Sequence, residues 1–158
     1  MKKLTVFMRF SLCFLIFFLS IICIFMFPAV IIFMNQVKID PLLTIIFGTG
    51  TYTSALGAYL IIFFTWRLLY LIDKNRIFSN SGIFALNKIK KIAFIIAAIY
   101  TLLIPSVTVM TDAGCAPGAF FVNIFLIGLG ATIGVFANIL EKICLNVFKF
   151  QIENELTI

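Results

Sequence analysis

FSLCFLIFFLSIICIFMFPAVIIFM, residues Phe10 to Met34, is a run of twenty-five residues without one charge. A helix of ~20 apolar residues crosses the ~30 Å hydrocarbon core of a bilayer, so this stretch is long enough to span a membrane. Working outward from it, three more apolar runs of comparable length follow at Leu42 to Leu69, Ile92 to Thr111 and Ala119 to Leu140. With hydrophobic residues making up 63% of its 158 positions, the chain has no polar segment long enough to enclose a second, soluble core. The expected fold is all-α: one integral membrane domain over 1–158, a bundle of four transmembrane helices spanning roughly 10–34, 42–69, 92–111 and 119–140.

Charge sets the orientation. Lys2, Lys3 and Arg9 precede the first run; Arg67, Lys74, Arg76, Lys88, Lys90 and Lys91 surround the second turn; Lys142 and Lys149 follow the fourth run. Threaded through four spans, these cations all fall on one side, and only Lys38 falls on the other. Lys and Arg accumulate in cytoplasmic loops, so both termini are expected in the cytoplasm, with a cytoplasmic loop over 73–91 and a cytoplasmic tail over 141–158. The second half of that loop has helical spacing, at Ile83, Leu86, Ile89 and Ala93, and reads as an inward extension of the third helix. The net charge of +6 then points to anionic lipid headgroups at that face rather than directly to nucleic acid. The first run is too long for the 7–15-residue core of a signal peptide and lacks a small-residue cleavage site, so it is read as an uncleaved anchor. Nine Lys against three Arg, with abundant Phe and Ile, suggest an AT-rich bacterial genome.

The residue inventory leaves little chemistry. There is no histidine, which removes Ser-His and Cys-His nucleophile pairs and most metal and haem ligation. The cysteines, at 13, 23, 115 and 144, form no CxxC, and only Cys115 lies in the outer loop, where it has no partner within the chain. Asp40, Asp73, Asp112, Glu141, Glu153 and Glu155 read as loop, helix-end or tail residues, so no carboxylate is expected at mid-bilayer, where it would mark a proton or ion path. No catalytic, cofactor-binding or metal-ligating set emerges, and the chain reads as a non-enzyme without cofactor.

Helix two holds the most polar stretch of any span, Gly48-Thr49-Gly50-Thr51-Tyr52-Thr53-Ser54. It has two readings. In one, Thr49, Thr51, Thr53 and Ser54 border a solute path, as polar residues at membrane depth do when they line a cavity. In the other, Gly50, Ser54 and Ala58, together with Gly130 and Gly134 of helix four, are small residues at four-residue spacing that let helices approach closely. Pro28 and Pro105 each lack the N–H owed to the carbonyl four residues back and predict kinks. Asn123 and Asn138 predict interhelical hydrogen bonds, and Trp66, Arg67 and Tyr70 an interfacial anchor. The tail from Glu141 is too apolar to be solvated, and reads either as an interfacial helix or as a docking segment.

Two segments, RIFSNSGIFALNKIKKIA from Arg76 and ANILEKICLNVFKFQIENELTI to the last residue, resemble the bacterial membrane family known as domain of unknown function 2975. The likeness rests on Phe78-Ser79, on Leu86 and Ile89, and on the closing Glu155-Leu156-Thr157-Ile158. The resemblance implies a four-helix inner-membrane protein, often encoded beside a small helix-turn-helix regulator, and supplies no activity or catalytic residue. By elimination, the expected role is one of protein contact, as a regulatory, sensory or peptide-immunity partner in the membrane. The surface for it is Phe78, Ser79, Lys88, Lys90, Lys91 and Glu155 to Ile158, and the partner a cytoplasmic or membrane protein. A small solute transporter or pore along the helix-two hydroxyls is the alternative.

Overall fold

The computed structural model describes residues 2–74, 76–113 and 117–155, with side chains from 5 to 153 apart from 75 and 114–117. The order is α1 (Lys2–Ile21), a π-helical turn (Ile22–Met26), α2 (Phe27–Gln36), α3 (Pro41–Asp73), α4 (Asn80–Leu102), α5 (Ile104–Asp112) and α6 (Pro117–Glu155), with no strand among the described residues. These make four units long and apolar enough to cross a membrane: α1 with α2, α3, α4 with α5, and α6. The chain is an all-helical protein of four spans.

Both proline breaks appear, in different forms. Pro28 leaves the carbonyl of Ile24 without its usual donor, and the helix answers one turn earlier by widening to π geometry over Ile22–Met26, where the Phe27 N–H reaches back to Ile22. Pro105 does the same to Thr101; α4 stops at Leu102, Leu103 forms a turn, and α5 starts at Ile104. The α2–α3 turn needs left-handed backbone at Lys38, with φ 57°. Asp40 caps the next helix, its Oδ1 accepting from Leu42 N–H at 3.2 Å, and Pro41 fills the first helical position.

The helices pack in chain order. α1 and α2 lie chiefly on α3, α3 on α4, and α4 and α5 on α6; at the end holding Lys38 the row curls, so that Met34 of α2 meets Met110 of α5 and Ala119 of α6 packs against them. Small residues allow each approach: a Cβ added to Gly48 would stand 3.3 Å from Ile31, to Gly57 3.0 Å from Ile96, and to Gly130 3.2 Å from the Ala93 carbonyl. Between apolar helices in lipid, such contact rather than water exclusion holds the bundle together. At the end holding Lys38 and Asp40, Met34, Ile39 and Met110 are buried together, with Val30, Leu43 and Phe47 against them.

At the other end the 73–91 segment is mostly helix, since α4 begins at Asn80. Ser79 accepts from the N–H groups of Gly82 and Ile83 through its carbonyl, and its Oγ donates to the Arg76 carbonyl at 2.7 Å. Gly82 is required here, because a Cβ would stand 2.0 Å from the Ile77 carbonyl oxygen. Gly82→Ala gains up to ~1 kcal/mol of helix propensity, yet must push the 76–79 turn off the helix. A net loss of about 1–2 kcal/mol is expected from the strain, seen as earlier thermal unfolding in detergent. An unchanged or raised midpoint would show that the turn moves without cost.

α6 runs unbroken from Pro117 to Glu155. The segment from Glu141, expected to be an interfacial helix or a docking segment, continues α6 without a break, and Glu141 itself is buried. The physical reason is composition. After Gly134 no glycine or proline interrupts the sequence before 155.

Candidate functional site

Two regions collect the polar side chains. The first is the end rich in basic residues. Glu141 on α6 is 7% exposed and has both oxygens engaged across the helix interface: Asn87 Nδ2 donates to Oε1 at 2.6 Å and Lys90 Nζ to Oε2 at 2.5 Å. Asn87 and Lys90 are three apart on α4, so they share a face and reach the carboxylate together. A second ion pair joins α1 to α3, with Arg9 Nη2 donating to Asp73 Oδ2 at 2.6 Å and the guanidinium 5.9 Å from the Trp66 ring centroid. Arg9 Nε is buried without a partner among the described residues. Lys74 lies over Tyr70 at 4.5 Å and Lys88 over Phe84 at 5.3 Å, the cation–ring contacts of an interfacial belt.

Around these pairs lie the residues singled out for partner contact. Phe78 is 37% exposed, Ser79 is half-buried in the turn, and Lys88 and Lys91 are exposed. Lys90 is half-buried in its ion pair. Glu155 ends α6, while Leu156, Thr157 and Ile158, like Cys115, lie outside the described residues. Sequence reasoning missed Asn87 and Glu141. A signal existed: Glu141 is the first charge after a long apolar run, opposite a segment with Asn and Lys at helical spacing.

The second region is helix two. Its hydroxyls divide between two faces. Thr49 and Thr53 are exposed and line an open groove of about 700 Å³ between α2 and α3, with Ile31, Asn35, Gly48 and Tyr52. Their hydroxyls donate to backbone carbonyls of their own helix, Thr49 to Ile45 at 2.9 Å and Thr53 to Thr49 at 2.6 Å. Thr51 and Ser54 are buried on another face, Thr51 donating to Phe47 O, and Ser54 Oγ lying 2.8 Å from Thr51 O and 3.1 Å from the Tyr100 hydroxyl of α4. Gly50 faces Leu103, whose side chain would be 2.8 Å from an added Cβ, and Ala58 is half-buried. Gly130 and Gly134 meet Ala97 and the Phe94 ring. Asn123 is buried, and its Oδ1 has no partner among the described residues, whereas Asn138 is half-buried. No three His, Cys, Asp or Glu side chains come together among the described residues.

Four apolar spans, closed by small-residue contacts and ringed at one end by basic and aromatic side chains, define a multi-pass α-helical membrane protein. Residues 49–158 match the family described as Protein of unknown function (DUF2975), and the chain belongs to that family. It is also similar to the uncharacterized membrane protein YoaS of Bacillus subtilis (strain 168), with 32% identity over 107 residues, which cover 68% of this chain and 67% of that protein. No solved structure matches.

Proposed function

We propose that the protein sits in the bacterial cytoplasmic membrane with its basic end inward and acts there through protein contacts, as a regulatory, sensory or peptide-immunity partner rather than as an enzyme. The observation that carries this reading is where exposed polar surface occurs. It gathers at the basic end, on the 76–79 turn, the first turns of α4 and the last turns of α6, while the spans present mainly apolar side chains outward. Basic loops of this kind mark cytoplasmic faces. The test is crosslinking and recovery of the tagged protein from its native membrane, with and without residues 155–158. Truncation is expected to leave insertion intact and to remove one specific cytoplasmic or membrane protein from the recovered set. Identical recovery from both forms would dismiss the tail as a contact.

A second reading, a small solute carrier, draws on the groove between α2 and α3. Thr53 lines that groove, whereas Ser54 supports packing against α4, so Thr53→Leu is the informative substitution. This reading expects substrate-dependent flux in proteoliposomes that falls at least about tenfold in the variant, the cost of one blocked polar contact of ~1.4 kcal/mol or more. A parent protein without flux for any candidate solute would end it.

A further inference from the structure

The two ion pairs lie at different depths. Phe27 against Tyr52, Ser20 bonded to Tyr59 and Arg9 bonded to Asp73 set the register of the first span on α3. Gly57 against Ile96 and Phe64 against Phe84 set α4 on α3, which places Lys90, and with it Glu141, level with Tyr59 and its neighbours. At 1.5 Å per residue, Pro41 to Tyr59 measures about 27 Å, close to one hydrocarbon thickness, and Tyr59 to Asp73 a further ~21 Å. On the α4/α6 side, exposed Lys88, Lys91 and Lys142 stand within about a turn of the Lys90–Glu141 pair. Level with them or beyond them, the opposite edge exposes Phe7, Phe10, Phe14 and Phe17 of α1. An upright bundle therefore has no single plane that keeps these lysines at the headgroups and these phenylalanines in lipid.

A tilt across the row resolves the conflict. With interaxial distances of about 9 Å, four helices in sequence span at most about 27 Å, so the average tilt of ~20° shifts one edge by up to about 10 Å toward closing the offset, and a steeper tilt of about 40° or more removes it. Tilting the first span further into the bilayer covers its phenylalanines and leaves the α4/α6 lysines at the inner surface. Snorkelling lengthens their reach. Glu141 is bonded to Lys90 and Asn87 and also lies in the field of Lys91, and Asp73 is paired with Arg9, so these two carboxylates stand against Arg9, Lys88, Lys90, Lys91 and Lys142 and leave the lysine cluster with net positive charge. Ile95 on α4 and Phe136 and Ile139 on α6, all exposed, supply apolar surface toward the membrane interior for the attached chains.

We propose that Lys88, Lys91 and Lys142 form a site for the headgroups of anionic phospholipids, and that this contact seats the bundle tilted in the membrane, with the first span inclined inward. It rests on the inward placement of the basic end, but vesicle binding does not depend on sidedness or on any protein partner, so the two ideas fail separately. Trp66, the only tryptophan, reports the seat. It lies seven residues, about 10 Å, past Tyr59 along α3, outside the hydrocarbon of an upright bundle and at its edge in a tilted one.

The full chain, reconstituted in phosphatidylcholine vesicles containing phosphatidylglycerol, is expected to show strong quenching of Trp66 by lipids brominated near the glycerol end of the acyl chain. Its preference for phosphatidylglycerol over phosphatidylcholine is expected to fall between about tenfold and a hundredfold in Lys88→Gln/Lys91→Gln/Lys142→Gln, at roughly one order of magnitude or less per lost charge. The matching triple Arg variant, folded and charged alike, is expected to keep the preference. Unquenched Trp66, or an equal preference in the parent and the Gln variant, overturns the proposal. So does a parent indifferent to lipid charge, which leaves these lysines to an acidic protein segment.

Discussion

Glu141→Ala is expected to cost the folded bundle about 3 kcal/mol, the low end for breaking a buried ion pair by removal of one partner. Glu141 is 7% exposed and its carboxylate is the acceptor for both Asn87 and Lys90, so its loss leaves an amide and an ammonium of α4 turned toward α6 with no acceptor there. The low end applies because the Lys90 side chain, 22% exposed, can turn toward headgroups. Lys90→Leu/Glu141→Leu is expected to cost less than either Lys90→Leu or Glu141→Leu alone, since buried pairs replaced by apolar side chains of similar volume are often near neutral. Unfolding in mixed micelles of increasing denaturing detergent measures all of them. Additive losses in the double variant would mean that the two residues act separately and that their contact carries no coupling.

Gly130→Leu is expected to be at least as damaging, about 3 kcal/mol or more, because the neighbour cannot yield. An added Cβ would already stand 3.2 Å from the Ala93 carbonyl oxygen and 3.3 Å from the Ala97 backbone nitrogen, so the remaining atoms of leucine have to push α4 and α6 apart along their whole contact. Gly128, two residues earlier, has nothing within 4 Å of an added Cβ, and Gly128→Leu serves as the matched control with little expected effect. Thermal unfolding of both variants and the parent in one detergent makes the comparison. Equal midpoints for the two would refute close packing at Gly130.

The spans were legible because hydrocarbon length is a strict requirement and the apolar runs meet it with few charges. Pro28 and Pro105 were legible as breaks, since a missing N–H has a local consequence wherever the helix packs. What escaped was depth and facing. Glu141 follows the last apolar run, and a span length of ~20 residues ends there by convention, but nothing in the local sequence stops the helix. Its burial depends on Asn87 and Lys90, more than fifty residues away in sequence. The hydroxyls of helix two illustrate the other difficulty: residues 49 and 53 share a helical face and 51 and 54 share another, a division their spacing allows, but which face meets α2 and which meets α4 follows only from the packing.

The row arrangement also bears on how the chain is made. Each span packs on the one synthesised just before it. Contacts between near neighbours in sequence form quickly, because little chain has to be closed into a loop. On emerging from the ribosome and entering the bilayer, α3 finds the first span already waiting, α4 finds α3, and α6 finds α4. The bundle can therefore be laid down helix by helix during translation, with the α4–α6 ion pair fastened last, as the final turns of the chain are released.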